Sequence, residues 1–442
     1  MKHKPAIISA VFFFLSLVAG AQEKKIIGLQ EAIELGLKNS KVLKSGQAKV
    51  DESAAALQEA IEKKLPSASA SASYLRLSSA NFDLKTKTNS SSSGSGDQPS
   101  VNQAMYGIVN LSMPIFQGGK IRYGIESARF LQKAAQLDEA SQKDEVIQNT
   151  IEAFANLFKA NTAIRLVKEN LDQSHERERE LANLEKNGLL ARNDLMKAQL
   201  QTSNVELALL DAQNNLDIAN LNMNLMLGLA PETQLSLDTT GIERKEDSRV
   251  MEDYIQLAYN SRKDISALDY RKKAAESNVK STQADKYPSM QLTGGYIAAD
   301  VPHVFSVTNA VNIGVGISYN VSSLWKTKSK VQQAEARVKQ YSIQQSLLDD
   351  NVRLQVSKNY YSLLSYRKKI EVYVKTMEQA KENYRIVKNK FNNSLATLSD
   401  LLEADVAQLQ ATMGYTLARA DAFVAYHKLL QSAGVLSTEP GK

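Results

Sequence analysis

Apolar residues recur at helical spacing over two very long stretches of this 442-residue chain. Between Ile125 and Asn187, and again between Ile317 and Met413, neither glycine nor proline interrupts runs rich in Ala, Leu, Gln, Lys and Glu, which favour helix. Ile147, Ile151, Phe154 and Phe158 follow a 4-3-4 step, and Leu157, Ile164 and Leu171 a step of seven; both are seams of packed long helices. The pattern predicts a 66-residue helix over Ile121–Lys186, roughly 99 Å long at 1.5 Å per residue, and a twin over Thr327–Asn392. Shorter helices are predicted at Gln30–Lys64, Asp194–Gly228, Asp253–Lys286 and Asp400–Gly434. Two short helices end to end match one long helix, so the expected arrangement is a layer of parallel rods four wide.

Pro66 and Pro288 stop the first short helix of each half, because a ring without an N–H cannot continue the hydrogen-bond ladder. The period then changes from 3.6 to 2. Val109, Leu111 and Met113 alternate with Asn110 and Ser112, and Val311, Ile313, Val315, Ile317 and Tyr319 alternate with Asn312, Gly314, Gly316 and Ser318. Four strands follow, at about 67–77, 104–114, 289–299 and 309–319, a length that crosses a bilayer at a tilt. One apolar and one small polar face suit lipid outside and water inside; the edge of a soluble β-sandwich is the alternative. Four strands cannot close a barrel, and an open edge in lipid leaves backbone groups unpaired, so the membrane reading requires oligomerisation. Three copies would supply twelve strands. Tyr74, Tyr106, Tyr296 and Tyr319, near strand ends, suit the membrane interface.

The chain is a tandem duplication. Leu65-Pro66 and Tyr74 return as Tyr287-Pro288 and Tyr296, an offset of 222; Asp194-Leu195, Ala198 and Gly228 return as Asp400-Leu401, Ala404 and Gly434, an offset of 206. The difference reads as a Ser-rich loop, residues 89–100, inserted in the first copy. The copies fall at 22–228 and 251–434, with an irregular linker at 229–250 and a polar tail at 435–442.

The first 21 residues have a basic start, an apolar run from Ala6 to Val18 and a small-residue cleavage signal, and read as a secretory signal peptide. The run is short for a membrane anchor. Without it, 52 basic residues face 48 acidic ones, a mild and scattered excess that implies no nucleic-acid partner. No cysteine exists, so disulfides, thiolate chemistry and an N-terminal lipid anchor are excluded. His175, His303 and His427 share no ligand spacing, and Gly118-Gly119 lacks the phosphate-loop pattern. An enzyme, a metal site and a cofactor are not expected.

Helix, strand pair, long helix, turn and short helix, all duplicated, resemble the TolC-like outer-membrane efflux factors over nearly the whole mature chain. The segment Pro114-Ile115-Phe116-Gln117-Gly118-Gly119-Lys120 resembles that family's strand-to-helix junction, with Pro114, Phe116, Gly118 and Gly119 as its marks; Asn320-Val321-Ser322-Ser323-Leu324-Trp325-Lys326 is a degenerate counterpart. The resemblance implies a mainly α protein with a membrane β portion: a homotrimer forming a 12-stranded barrel in outer-membrane lipid, continued by a 12-helix periplasmic tunnel. It implies a periplasmic adaptor (membrane fusion protein) and an inner-membrane pump of the RND or ABC type as partners. The expected role is passive export of drugs or toxic small molecules. Duct for secreted proteins, or a periplasmic coiled-coil adaptor or scaffold, are the alternatives.

The resemblance also places adaptor docking at two turns, Asn187-Gly188-Leu189-Leu190 and Asn393-Ser394-Leu395-Ala396. Asp194, Asp400 and Glu403, just beyond them, match acids that ring a constricted entrance. Helix capping is the competing role, since Asp194 and Asp400 lie in first turns and Thr397-x-x-Asp400 has capping-box form. Where the resemblance leads one to expect an arginine in the second turn this chain has Ala396, and Arg192 lies in the first.

Overall fold

A computed structural model describes residues 24–80, 101–238, 248–302 and 305–438. The expected signal peptide, the Ser-rich segment 89–100 and the end of the tail lie outside them. The described chain divides into two compact units, residues 24–47, 138–238, 248–265 and 347–438 in one, 48–80, 101–137, 266–302 and 305–346 in the other.

In chain order the elements are β1 (Lys24–Ile27), α1 (Leu29–Asn39), α2 (Lys41–Glu62), β2 (Ser67–Ala80), β3 (Val101–Phe116), α3 (Lys120–Lys186) and α4 (Arg192–Leu227). There follow β4 (Gln234–Leu237), α5 (Met251–Ser261), α6 (Lys263–Gln283), β5 (Ser289–Val301), β6 (Phe305–Ser318), α7 (Ser323–Asn392) and α8 (Leu398–Ser432). The two long helices hold 67 and 70 residues, each starting earlier than periodicity predicts. Among the described residues no helix is long and apolar enough to cross a membrane.

Three apolar clusters hold the first unit, two of them large. Ile147 and Ile151 of α3, Val352, Val356 and Leu363 of α7, and Leu429 and Leu430 of α8 close around Tyr254 and Ile255 of α5 and Ile33 of α1. Phe154 and Leu157, further along α3, pack with Met223 and Leu227 of α4, Ile27 of β1 and Leu235 of β4. Each fully buried side chain of this size contributes about 1.5–3 kcal/mol. The short amphipathic α1 and α5 are thus clamps whose apolar stripes bind the long rods together.

Two expectations are corrected here. The helices predicted over Gln30–Lys64 and Asp253–Lys286 are each broken, at Ser40 and at Arg262, where ψ turns to 119° and 124°. The breaks coincide with the arriving ends of other helices. Asn39 Nδ2 donates to the Leu227 carbonyl at 2.6 Å, and Arg262 Nη1 donates to the Ser432 carbonyl at 3.2 Å, so each break feeds donors to carbonyls that a helix end leaves orphaned. The linker, expected to be irregular, contains β4, which pairs in parallel with β1. Four-residue strands carry too few positions for alternation to register.

In the second unit the sheet has strand order β2-β3-β5-β6, antiparallel throughout. Registration puts Val109, Tyr296 and Val311 in one row and Asn110, Gly295 and Asn312 in the next, so the two faces alternate coherently across three strands. Gly295 is required by that register: a Cβ there would lie 2.7 Å from the Val109 carbonyl oxygen and 3.1 Å from the Asn312 amide oxygen. β2 and β6 keep unpaired outer edges among the described residues.

Candidate functional site

Both turns between a long and a short helix are built alike. Gly188 takes φ +72°, donates to the Glu185 carbonyl, and lets Leu189 N–H reach back to Leu184 at 2.9 Å. Ser394 takes φ +60°, donates to Phe391, and Leu395 N–H reaches Lys390 at 2.8 Å. Both are left-handed helix ends with crossed carbonyl bonds. Asn187 and Asn393 each add an amide bond at 2.7 Å to the carbonyl four residues earlier. The geometry thrusts Leu189 and Leu395 outward, 74% and 76% exposed, while Leu190 turns inward against Leu181, Ala198 and Leu398. Ala396 is half-buried.

The acids beyond the turns differ. Asp400 and Thr397 form a reciprocal capping box: Thr397 N–H and hydroxyl donate to Asp400 Oδ2 at 2.8 and 2.7 Å, and Asp400 N–H donates to Thr397 Oγ1 at 3.2 Å. The Thr397 hydroxyl bond, then its backbone bond, hold the Asp400 carboxyl below its ordinary range. Asp194 does not cap. The first residue position before α4 is Ala191, which has no side-chain acceptor, and Asp194 instead accepts from Lys197 at 3.0 Å. Arg192 and Glu403 are exposed at their helix starts.

At the junction, Pro114 pairs with Gln291 and the register slips before Phe116, releasing the chain from the sheet. Gly118 at φ +61° then passes so close to the next strand's lead-in that a Cβ would lie 2.8 Å from the Ala284 carbonyl oxygen. Gly119 follows at φ +90°, and Lys120 pairs with Asp285 at 2.7 Å. The degenerate second copy turns without glycine: Asn320 Oδ1 accepts from Ser322 N–H and hydroxyl at 3.2 and 2.7 Å.

One group of residues escaped the sequence reading. Arg177 of α3, 9% exposed, donates to Asp405 Oδ2 of α8 at 3.1 Å and to the Tyr384 hydroxyl of α7 at 3.4 Å; Asn170 also donates to Asp405, itself 4% exposed. Burial opposes the guanidinium charge, but the Asp405 charge and hydrogen bond outweigh it, with Tyr384 assisting, and raise the Arg177 pKa. The line Val167, Asn170, Ser174, Arg177, Leu181 is buried at 3-4-3-4 spacing, so the true seam of α3 runs through polar residues. Ile164 and Leu171, taken as seam positions, are only half-buried beside it. No cluster able to hold a metal ion occurs among the described residues.

The duplicated order, with a four-stranded sheet between helices and matched turns, agrees with the outer membrane efflux protein profile over residues 32–229 and 254–435. The chain belongs to the outer membrane efflux protein family. Two relatives in it are the Toxin and drug export protein A of Aggregatibacter actinomycetemcomitans, 22% identical over 312 residues, and the Outer membrane efflux protein BepC of Brucella suis biovar 1, 21% identical over 333. The matches cover 67% and 75% of this chain, and 65% and 72% of the relatives, so the chain spans just under two thirds of the export protein. The crystal structure of the outer membrane protein VceC from Vibrio cholerae superposes with a TM-score of 0.75 at 20% identity, over 92% of this chain and 96% of that one. At that identity the likeness concerns fold. This member of the outer membrane efflux family is mainly helical with a strand portion, and its family is one of channels and not of enzymes.

Proposed function

We propose that the protein is the outer-membrane duct of a tripartite efflux system, a homotrimer that passes small toxic molecules outward without bond chemistry. The observation that carries this is the sheet, which among the described residues has four strands, two free edges and an apolar face on which Val311 and Ile313 stand bare. Unpaired backbone at a sheet edge is intolerable in hydrocarbon, and closure by copies of the same chain removes it. A periplasmic adaptor docks on Leu189 and Leu395 with their neighbours Asn187, Gly188, Leu190, Asn393, Ser394 and Ala396, and an inner-membrane pump drives the flow. Asp194, Arg192, Asp400 and Glu403 sit where short helices begin and form the charged entrance; Asp400 combines that role with capping. The words toxin and drug export in one relative's name support a second cargo class, secreted proteins passing through the same duct.

Purified protein reconstituted in planar bilayers tests the reading. Trimers with a small, cation-preferring conductance are expected, and Asp400→Asn with Glu403→Gln should reduce the cation preference. A processed chain that stays monomeric and soluble without detergent would falsify it.

A further inference from the structure

The rim where the sheet passes into the helices carries a charge pattern that neither needs for its own stability. Registration aligns Ser67 with Ser112 and Ser289 with Ser318, so all four strands meet their helices along one rim. Across residues 55–66, 117–128, 277–288 and 319–330, which flank that rim, nine basic residues face four acidic ones. Among the described residues the opposite rim holds only Arg76 and Asp300 as charged side chains. Lys64, Arg122, Lys286, Lys326 and Lys328 are exposed and form no ion pair among the described residues. Asp285 is shared between two cations, Lys120 at 2.7 Å and Lys330 at 3.9 Å.

These cations are badly placed for the helices that carry them. Neither α3 nor α7 has an acid in its first turn, and Lys120 and Lys326 stand at the end where a helix repels positive charge. Lys326 and Lys330 are also like charges one turn apart. Helix stability therefore does not explain them, and an anion is the partner this rim lacks. Apolar side chains share it: Ile115, Phe116, Tyr287, Leu324 and Trp325 are all exposed, Trp325 by 63%. Aromatic rings interleaved with long cationic chains suit the headgroup zone of a bilayer, where rings lie level with the headgroups and ammonium groups reach phosphate on their methylene stems.

We propose that this rim is a collar that binds anionic phospholipid headgroups of the leaflet on the helix side in preference to zwitterionic ones, with Lys326, Lys328 and Lys330 beside Trp325 as its strongest part. The inference rests on the membrane reading above and adds which lipid the foot of the sheet selects. Every phospholipid offers a phosphate, but a zwitterionic headgroup carries its own cation, which cancels the attraction. A rim with an excess of five positive charges per chain gains only from a headgroup that is negative overall. Lys330 lies seven residues into α7, roughly 10 Å along it and so within about one screening length of the rim at ordinary salt.

Trp325 is the only tryptophan of the chain, so its fluorescence reports directly from the collar. The purified protein is reconstituted in vesicles of phosphatidylcholine and phosphatidylglycerol in equal parts, with one lipid or the other brominated high on its acyl chains to quench a neighbouring indole. Brominated phosphatidylglycerol should quench with an apparent affinity about fivefold above that of brominated phosphatidylcholine, the ratio that one basic residue near a charged surface supplies, and added salt should reduce it. Lys326→Gln with Lys328→Gln and Lys330→Gln should bring the ratio close to one. Lys375→Gln with Lys381→Gln and Lys388→Gln, exposed on α7 far from the sheet, should leave it unchanged. Equal quenching by the two lipids, quenching by neither, or a ratio that the two triple variants lower alike overturns the collar and leaves the membrane reading standing. Protein that does not enter the vesicles overturns both.

Discussion

Gly228 and Gly434 end α4 and α8 in one conformation, φ +68° and +72°, and each abuts a helix break, the first at Asn39 and the second at Arg262. Asn39 and Ser261 are themselves 222 apart, and the glycines 206, so both halves of the chain make the same joint with the offsets found in sequence.

Neither joint should tolerate a methyl group. A Cβ on Gly434 would lie 2.9 Å from the Arg262 backbone nitrogen, and on Gly228 2.9 Å from Asn39 Cβ. Neither atom can step aside without moving its backbone, and both glycines hold a left-handed φ that a side chain strains. Gly434→Ala and Gly228→Ala are each expected to lower stability by about 1–3 kcal/mol, measured by thermal unfolding in detergent.

Removing one member of the buried pair should do more harm than removing both. Arg177→Met strands the Asp405 carboxylate, with an expected loss of about 3–5 kcal/mol, and Arg177→Met with Asp405→Leu should recover most of it. Urea or thermal unfolding of the three proteins checks this. Equal losses in single and double variants would mean that packing, and not charge, sets the penalty.

The Asp400 carboxyl titrates below its ordinary value because Thr397 bonds to the charged form. Its contribution is therefore complete above the unfolded value of 3.8 and disappears as pH falls through the lower folded one. Amide exchange in the first turn of α8 should speed up as pH drops below that value, beyond the intrinsic pH trend. Asp400→Asn should show fast exchange already at neutral pH; protection equal to the wild type would remove the capping role.

The exposed leucines of the two turns should matter for export and not for assembly. Leu189→Asp with Leu395→Asp is expected to leave trimers intact on gels while cells carrying the variant accumulate a fluorescent efflux dye. Normal dye export would place adaptor docking elsewhere.

Much of this molecule is legible in one dimension. The long helices are set by uninterrupted helix formers, the strands by alternation after Pro66 and Pro288, and the junction by Gly118-Gly119, because each depends on neighbours a few residues apart. Even the Thr397 capping box is local and readable. Ser40 and Arg262 were not readable as breaks, since what ends those helices is the arrival of α4 and α8 from about 190 and 170 residues away. Nor was the seam through Asn170, Ser174 and Arg177, which periodicity assigns to a solvated face until Asp405 and Tyr384 are brought against it. The sequence by itself determined the elements and their duplication; only tertiary structure decided which polar residues are buried, because burial of a charge depends on a distant partner that no local pattern records.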